Sequence, residues 1–94
     1  MAKYYEIKRL VLNTTQWKPV TAPIHTSRLV LRNEDDTNIH DVRTDPDDAD
    51  TQRFLLPGAD MVVQSPVATW EAGAVICYVR AQAGAGPVVA EFTR

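Results

Sequence analysis

The carboxylates of this 94-residue chain are bunched. Eight of its twelve acids lie between Glu34 and Asp50: Glu34, Asp35, Asp36, Asp41, Asp45, Asp47, Asp48 and Asp50. His40 sits among them and His25 shortly before. Such side chains can chelate a hard cation, share a proton in acid–base work, or repel one another in water. The run "DPDDAD" (Asp45–Asp50) offers oxygen ligands at alternate positions, as a calcium loop does. It lacks the glycine that turns an EF-hand loop, no Glu follows to close the cage, and Pro46 stiffens the backbone where a chelating loop must wrap. Paired-carboxylate hydrolysis needs two acids in a concave site with their pKa values pushed apart. A hydrophilic loop with Pro and Ala between its acids predicts the reverse. Asp45, Asp47, Asp48 and Asp50 therefore read as a solvated or partner-facing connection without catalytic duty and without a built metal site, weak calcium attraction being the competing reading.

Nucleophilic chemistry has no better footing. Ser27 and Ser65 stand beside Arg28 and Pro66 with no elbow motif. His25 falls in a loop and His40 on a weak strand, and lone histidines of this kind read as surface or hydrogen-bonded residues. Gly84 and Gly86 follow a strand but precede no helix, so they do not cradle a phosphate. Cys77 is the single cysteine, which excludes a disulfide within the chain. With two His at unrelated spacings it cannot form a zinc cage, and in "AVICYV" it reads as a buried, inert thiol. No cofactor and no enzyme activity are expected. Trp17 and Trp70 read as plugs closing the two ends of a core, or as exposed anchors.

The elements that position these residues are strands almost throughout. "YYEIKRLVL" (Tyr4–Leu12) alternates loosely, "WKPVTAP" is a short edge piece because Pro19 and Pro23 cannot donate to a ladder, and "SRLVLRN" places Leu29 and Leu31 on one face. "NIHDVRT", "TQRFLL" and "DMVVQ" follow, with Pro57–Gly58 suited to a type II turn. "SPVATWEAG" reads as a loop or a single helical turn. "AVICYVRAQ" and "GPVVAEFTR" close the chain, expected as a hairpin across "AGAG". The expectation is an all-β chain: one small β-sandwich or jelly-roll-like domain over residues 1–94, with seven to eight short antiparallel strands and residues 1–12 as an arm or an edge strand.

Charge is distributed unevenly. Residues 1–33 carry +5, residues 34–50 carry −7 and residues 51–94 are balanced, for a net −2. That balance argues against a nucleic-acid partner. No apolar run approaches the ~18 residues that span a bilayer, and "MAKYYEIKRL" has no signal-peptide apolar centre, so neither a membrane partner nor secretion is expected. Lys3, Tyr4, Tyr5, Lys8, Arg9, Trp17 and Lys18 combine charge with aromatic area, as docking surfaces do, and are the expected interaction residues. A domain this small, without disulfide or metal, is expected to gain stability by self-association.

The order "LNTTQWKPVTAP", "SRLVLRNED", "FLLPGADMVV" and "AVICYVRAQAGAGPVVAEF" resembles small virion proteins of tailed bacteriophages. The resemblance covers residues 9–92, with Arg32, Asn33, Leu56, Pro57 and Gly58 at the matched strand end and turn. It implies a β-sandwich that decorates or cements a phage head, or a minor tail-associated part, located on the virion after synthesis in the host cytoplasm. Its implied partners are the major capsid protein or another virion protein, and its own copies, as a trimer by analogy with head-decorating proteins. No catalytic residue transfers. The acidic connection departs from the pattern. A second function class fits the same sandwich: a carbohydrate-binding or calcium-assisted adhesion module, with Trp17 or Trp70 as the stacking platform.

Overall fold

Period-two alternation of small apolar residues builds the two central strands. The computed structural model describes residues 5–12, 16–64, 69–82 and 86–94. Its eight strands are β1 (Tyr5–Leu12), β2 (Lys18–Thr21), β3 (Arg28–Asn33), β4 (His40–Arg43), β5 (Arg53–Leu55), β6 (Asp60–Gln64), β7 (Val75–Ala81) and β8 (Gly86–Thr93). β7 turns Cys77, Val79 and Ala81 inward, and β8 turns Val88, Ala90 and Phe92 inward. Two four-stranded antiparallel sheets result, ordered β1-β8-β3-β6 and β2-β7-β4-β5. Leu12, Leu29, Leu31 and Met61 join β8 from the first sheet, and Val20, Val42 and Leu55 join β7 from the second, in one apolar cluster between the layers. This is the expected all-β sandwich. Among the described residues the only helical piece is a single 3-10 turn, Ala49–Thr51, and no helix is long and apolar enough to cross a membrane.

The closing hairpin is corrected. β7 and β8 do not pair; β7 lies between β2 and β4, and β8 between β1 and β3. The two strands are the most regularly apolar in the chain, and each becomes central to its own sheet. There both of its edges are bonded and its inward side chains meet those of the other across the core. A hairpin would have put both in one layer and left the second without a centre.

β1 takes the edge-strand alternative, paired with β8 along all eight residues from Tyr5↔Thr93 to Leu12↔Gly86. At the far end of β3, Asn33 locks the layers together. Its buried side-chain amide donates to the carbonyls of Asn38 (2.8 Å) and Leu55 (3.0 Å), and its Oδ1 accepts from the Asp35 N–H (2.9 Å). Its backbone carbonyl accepts from Gly58 (3.0 Å). Gly58 has φ 71° and the Ala59 N–H donates to the Leu56 carbonyl at 3.0 Å, so Pro57–Gly58 is the expected type II turn. It carries the chain from β5 in one sheet to β6 in the other.

Candidate functional site

The seven expected interaction residues do not converge on one place. Lys3 and Tyr4 lie outside the described residues. Residues paired directly across antiparallel strands point to the same side of a sheet. The β1–β8 register therefore sends Tyr5 and Arg9 to the outer face of the first sheet, with Ile7 and Val11, while Lys8 shares the inner side with Ala90. Trp17 and Lys18 belong to the second sheet, just before and at the start of β2.

The outer face of the first sheet is apolar to a degree that strand-by-strand reading missed. Across the sheet run the rows Ile7–Glu91–Val30–Val62 and Arg9–Val89–Arg32–Asp60. Tyr5, Ile7, Val11 and Val62 are between 42% and 67% exposed there, and Val30 and Val89 are half-buried. The signal was present in "LVL", "MVV" and "PVV", where consecutive apolar residues must place some of their number outside. Charges on this face are mostly paired. Arg32 Nε donates to Asp60 Oδ1 at 2.8 Å, which raises the Arg32 pKa and holds Asp60 below its ordinary value, and Arg9 lies 3.5 Å from Glu34.

The outer face of the second sheet is polar and aromatic. Trp17 lies beneath two guanidinium groups, with the Arg80 Cζ 4.4 Å and the Arg43 Cζ 5.0 Å from its ring centroid. It does not plug an end of the core, because its position just ahead of β2 sets it beside the outward residues of β7 and β4. Arg80 also donates to Asp41 Oδ2 (3.2 Å), and Gln82 to Asp41 Oδ1 (2.7 Å), so both oxygens of this buried carboxylate are engaged. Asp41, Arg80, Ala81 and Gln82 line a hollow of about 420 Å³, and Gln16, Trp17, Lys18 and Pro19 with Val11 line a second of about 300 Å³. Phe54, across β4 from this network, is 57% exposed. Trp70 differs from Trp17: it bridges to Thr26 through paired backbone bonds (2.9 and 2.7 Å) and packs against the core.

Compared with known protein families, with curated proteins and with solved structures, the chain matches none. The site must speak for itself.

Asp45, Asp47, Asp48 and Asp50 are exposed on the connection from β4 to β5. The loop closes on itself: Asp45 Oδ1 accepts from the Asp47 N–H (2.9 Å), and Asp48 Oδ1 caps the 3-10 turn at Asp50 (3.0 Å). Arg43 clamps it, donating to the Pro46 carbonyl (2.9 Å) and twice to Gln52 Oε1 (2.8 and 2.6 Å). Among the described residues, no three His, Cys, Asp or Glu side chains converge on a metal position. Asp35 behaves differently from its neighbours. Its carboxylate accepts from the backbone of Thr37 (2.9 Å) and Asn38 (3.1 Å) and from the Asn38 amide (2.9 Å), which lowers its pKa to about 2.

Two titratable residues are buried. Cys77 is fully enclosed and its thiol is pushed up to about 12 by burial, as an inert core cysteine should be. His40 corrects its sequence reading as a surface or hydrogen-bonded histidine. It is an inward residue of β4, opposite Leu55 and Ala81, fully buried, and neither ring nitrogen has a hydrogen-bond partner among the described residues. The alternation of "IHDVR" dictates this, because Val42 and His40 share a face and Val42 is core. His25 is exposed and hydrogen-bonded to the Thr69 hydroxyl.

Proposed function

We propose that this chain is a non-enzymatic structural subunit that works by docking on other protein surfaces: a multi-copy capsid decoration or cement protein of the kind its segment order resembles. The observation that supports this reading is the outer face of the first sheet. A four-stranded face carrying Tyr5, Ile7, Val11 and Val62 at 42% to 67% exposure is costly to leave in water, and exposed apolar residues set among charged ones on one face are a feature of protein-binding surfaces. The polar groups of the second face are committed to one another through Asp41, Arg80 and Gln82, an arrangement that supports architecture more than turnover. The decisive experiment is co-sedimentation of the purified chain with empty shells of the major capsid protein encoded in the same genome. Saturable co-sedimentation is expected; a chain left wholly in the supernatant would sink the virion reading.

One observation favours a second class. Trp17 is half-buried, lines one of the two hollows and packs under the guanidinium groups of Arg43 and Arg80, the latter of which lines the other hollow, and aromatic rings in such polar surroundings can stack on sugars. A carbohydrate-binding or adhesion module predicts a glycan ligand whose binding quenches Trp17 fluorescence and is lost in Trp17→Ala. Capsid docking predicts no glycan response.

A further inference from the structure

We infer that the outer face of the first sheet is where two copies of this chain meet, packed face to face about a two-fold axis running parallel to the strands between β8 and β3. This rests on the docking reading only in taking that face to be an interface; it requires no capsid.

The cross-strand rows carry the argument. Such an axis reverses the order β1-β8-β3-β6 while keeping each row at its own height, so every contact occurs twice. Row by row, the face complements its own reverse. Ile7 comes to lie over Val62 of the second copy, so the two exposed apolar edges cover each other. Arg9 comes to lie over Asp60 of the second copy, opposite in charge. Glu91 comes to lie over Val30 of the second copy, one outward position from its Arg28 and from its Arg32. No row sets like charges opposite one another.

The unpaired charges fit the same geometry. Among the described residues, Arg28 and Glu91 make no ion pair or hydrogen bond, although Arg9, Arg32 and Asp60 on the same face all do. Glu91 is half-buried in the apolar row, where Arg32 of its own chain acts on it electrostatically without forming an ion pair, so a cation in direct contact would stabilise it further. A second copy brings Arg28 there. The area also suffices. The domain measures 39 × 29 × 18 Å, and two stacked sheets occupy the short dimension. Each broad face is thus about 1,100 Å² in projection, against the ~800 Å² per partner of a standard stable interface.

The test uses the full chain alone. Sedimentation equilibrium should give twice the 10.5 kDa chain mass, and Val62→Lys should give the monomer with an unchanged far-UV spectrum. Glu91→Lys and Arg28→Glu supply a charge exchange. Each variant alone sets like charges together at both symmetric positions and should be monomeric. An equimolar mixture restores an opposite pair at both positions and should sediment as a dimer. A native chain that stays monomeric up to its solubility limit, a trimer mass, or a mixture no more associated than its components would each overturn the two-fold face. Co-sedimentation with shells by a strictly monomeric chain would sink this inference and leave the docking reading standing. A dimer that ignores shells would do the opposite.

Discussion

Gly86→Ala tests the closest approach in the sandwich. Gly86 opens β8 with its carbon facing inward, and a Cβ there would lie 2.7 Å from Asp35 Oδ2, 2.9 Å from His40 Nε2 and 3.0 Å from His40 Cε1. Neither neighbour yields easily. His40 is fully enclosed in the core, and Asp35 is held by the N–H groups of Thr37 and Asn38 and by the Asn38 amide. The backbone at Gly86 is not in the left-handed region, so alanine meets no conformational penalty and restricts the unfolded chain, which returns about 0.4–1 kcal/mol. Forcing a methyl into a packed site costs about 1–3 kcal/mol. Packing wins, and the net loss is about 1–2 kcal/mol. For a domain of this size each kcal/mol lowers the thermal midpoint by about 4–8 °C. Denaturant and thermal unfolding followed by tryptophan fluorescence measure it. The source of the loss is tested by repeating the substitution in a His40→Ala background, where the imidazole is gone and Asp35 remains. The cost should shrink without vanishing. A Gly86→Ala protein as stable as the native chain, or equal losses in both backgrounds, would refute the reasoning.

Four further outcomes are expected. Arg80→Ala should destabilise by about 2 kcal/mol in denaturant unfolding, because it strips one partner from the buried Asp41 carboxylate, less than the ~3–5 kcal/mol of a fully buried pair since Arg80 is a third exposed and Gln82 remains. In the Val62→Lys background, where this face is left in solvent, Arg32→Ala, which breaks an exposed ion pair, should leave the midpoint nearly unmoved. Asp35 has a folded pKa of about 2 against an ordinary 3.8, so its stabilisation is complete above pH 4 and fades as pH falls from about 4 to about 2; Asp35→Asn should be less stable at neutral pH, with the gap to the native chain closing over that window in unfolding midpoints. Replacing Asp45, Asp47, Asp48 and Asp50 with Asn, which can accept the same local N–H bonds, should leave the isolated fold intact while changing how assembly responds to salt; calorimetric calcium binding tighter than about a millimolar would favour a metal site instead.

The strands were legible because their side chains alternate. "RLVLRN" placed Leu29 and Leu31 on one face, and both are core, and Pro57–Gly58 announced its turn through the positive φ that glycine supplies. Layer assignment was not legible. Alternation fixes which residues face inward but not which sheet a strand joins, and "AGAG" is as compatible with a crossing between layers as with a hairpin. The spread of the expected interaction residues over two sheets has a related cause. Proximity in sequence grouped Tyr5, Arg9 and Trp17, whereas β1 and β2 belong to different sheets. Glu91, Val62 and Ile7 are far apart in sequence, and only the strand order β1-β8-β3-β6 makes them one row. His40 was misjudged because a lone histidine beside an aspartate on a short, weakly patterned strand looks exposed until its strand partners are known.

How the sandwich associates turns on its edges as much as its faces. An open edge invites strand pairing unless something blunts it. β1 is the longest edge, and its inner-side positions Glu6 and Lys8 carry exposed charges where a continuing core would need apolar side chains. β2 holds Pro19, which cannot donate to a new ladder, and β5 is three residues long. Three of the four edges therefore resist extension of their sheet. The outer face of the first sheet carries charges too, but Arg9, Arg32 and Asp60 are already in ion pairs within the chain. Its row through Val30 offers Ile7 and Val62 at either end, with one unpaired carboxylate between them. A chain that blunts its edges and leaves Tyr5, Ile7, Val11 and Val62 exposed on one broad face gains more from stacking than from strand addition. For this sandwich, open sheet edges are a weaker reason to expect self-association than the face that the sheet presents.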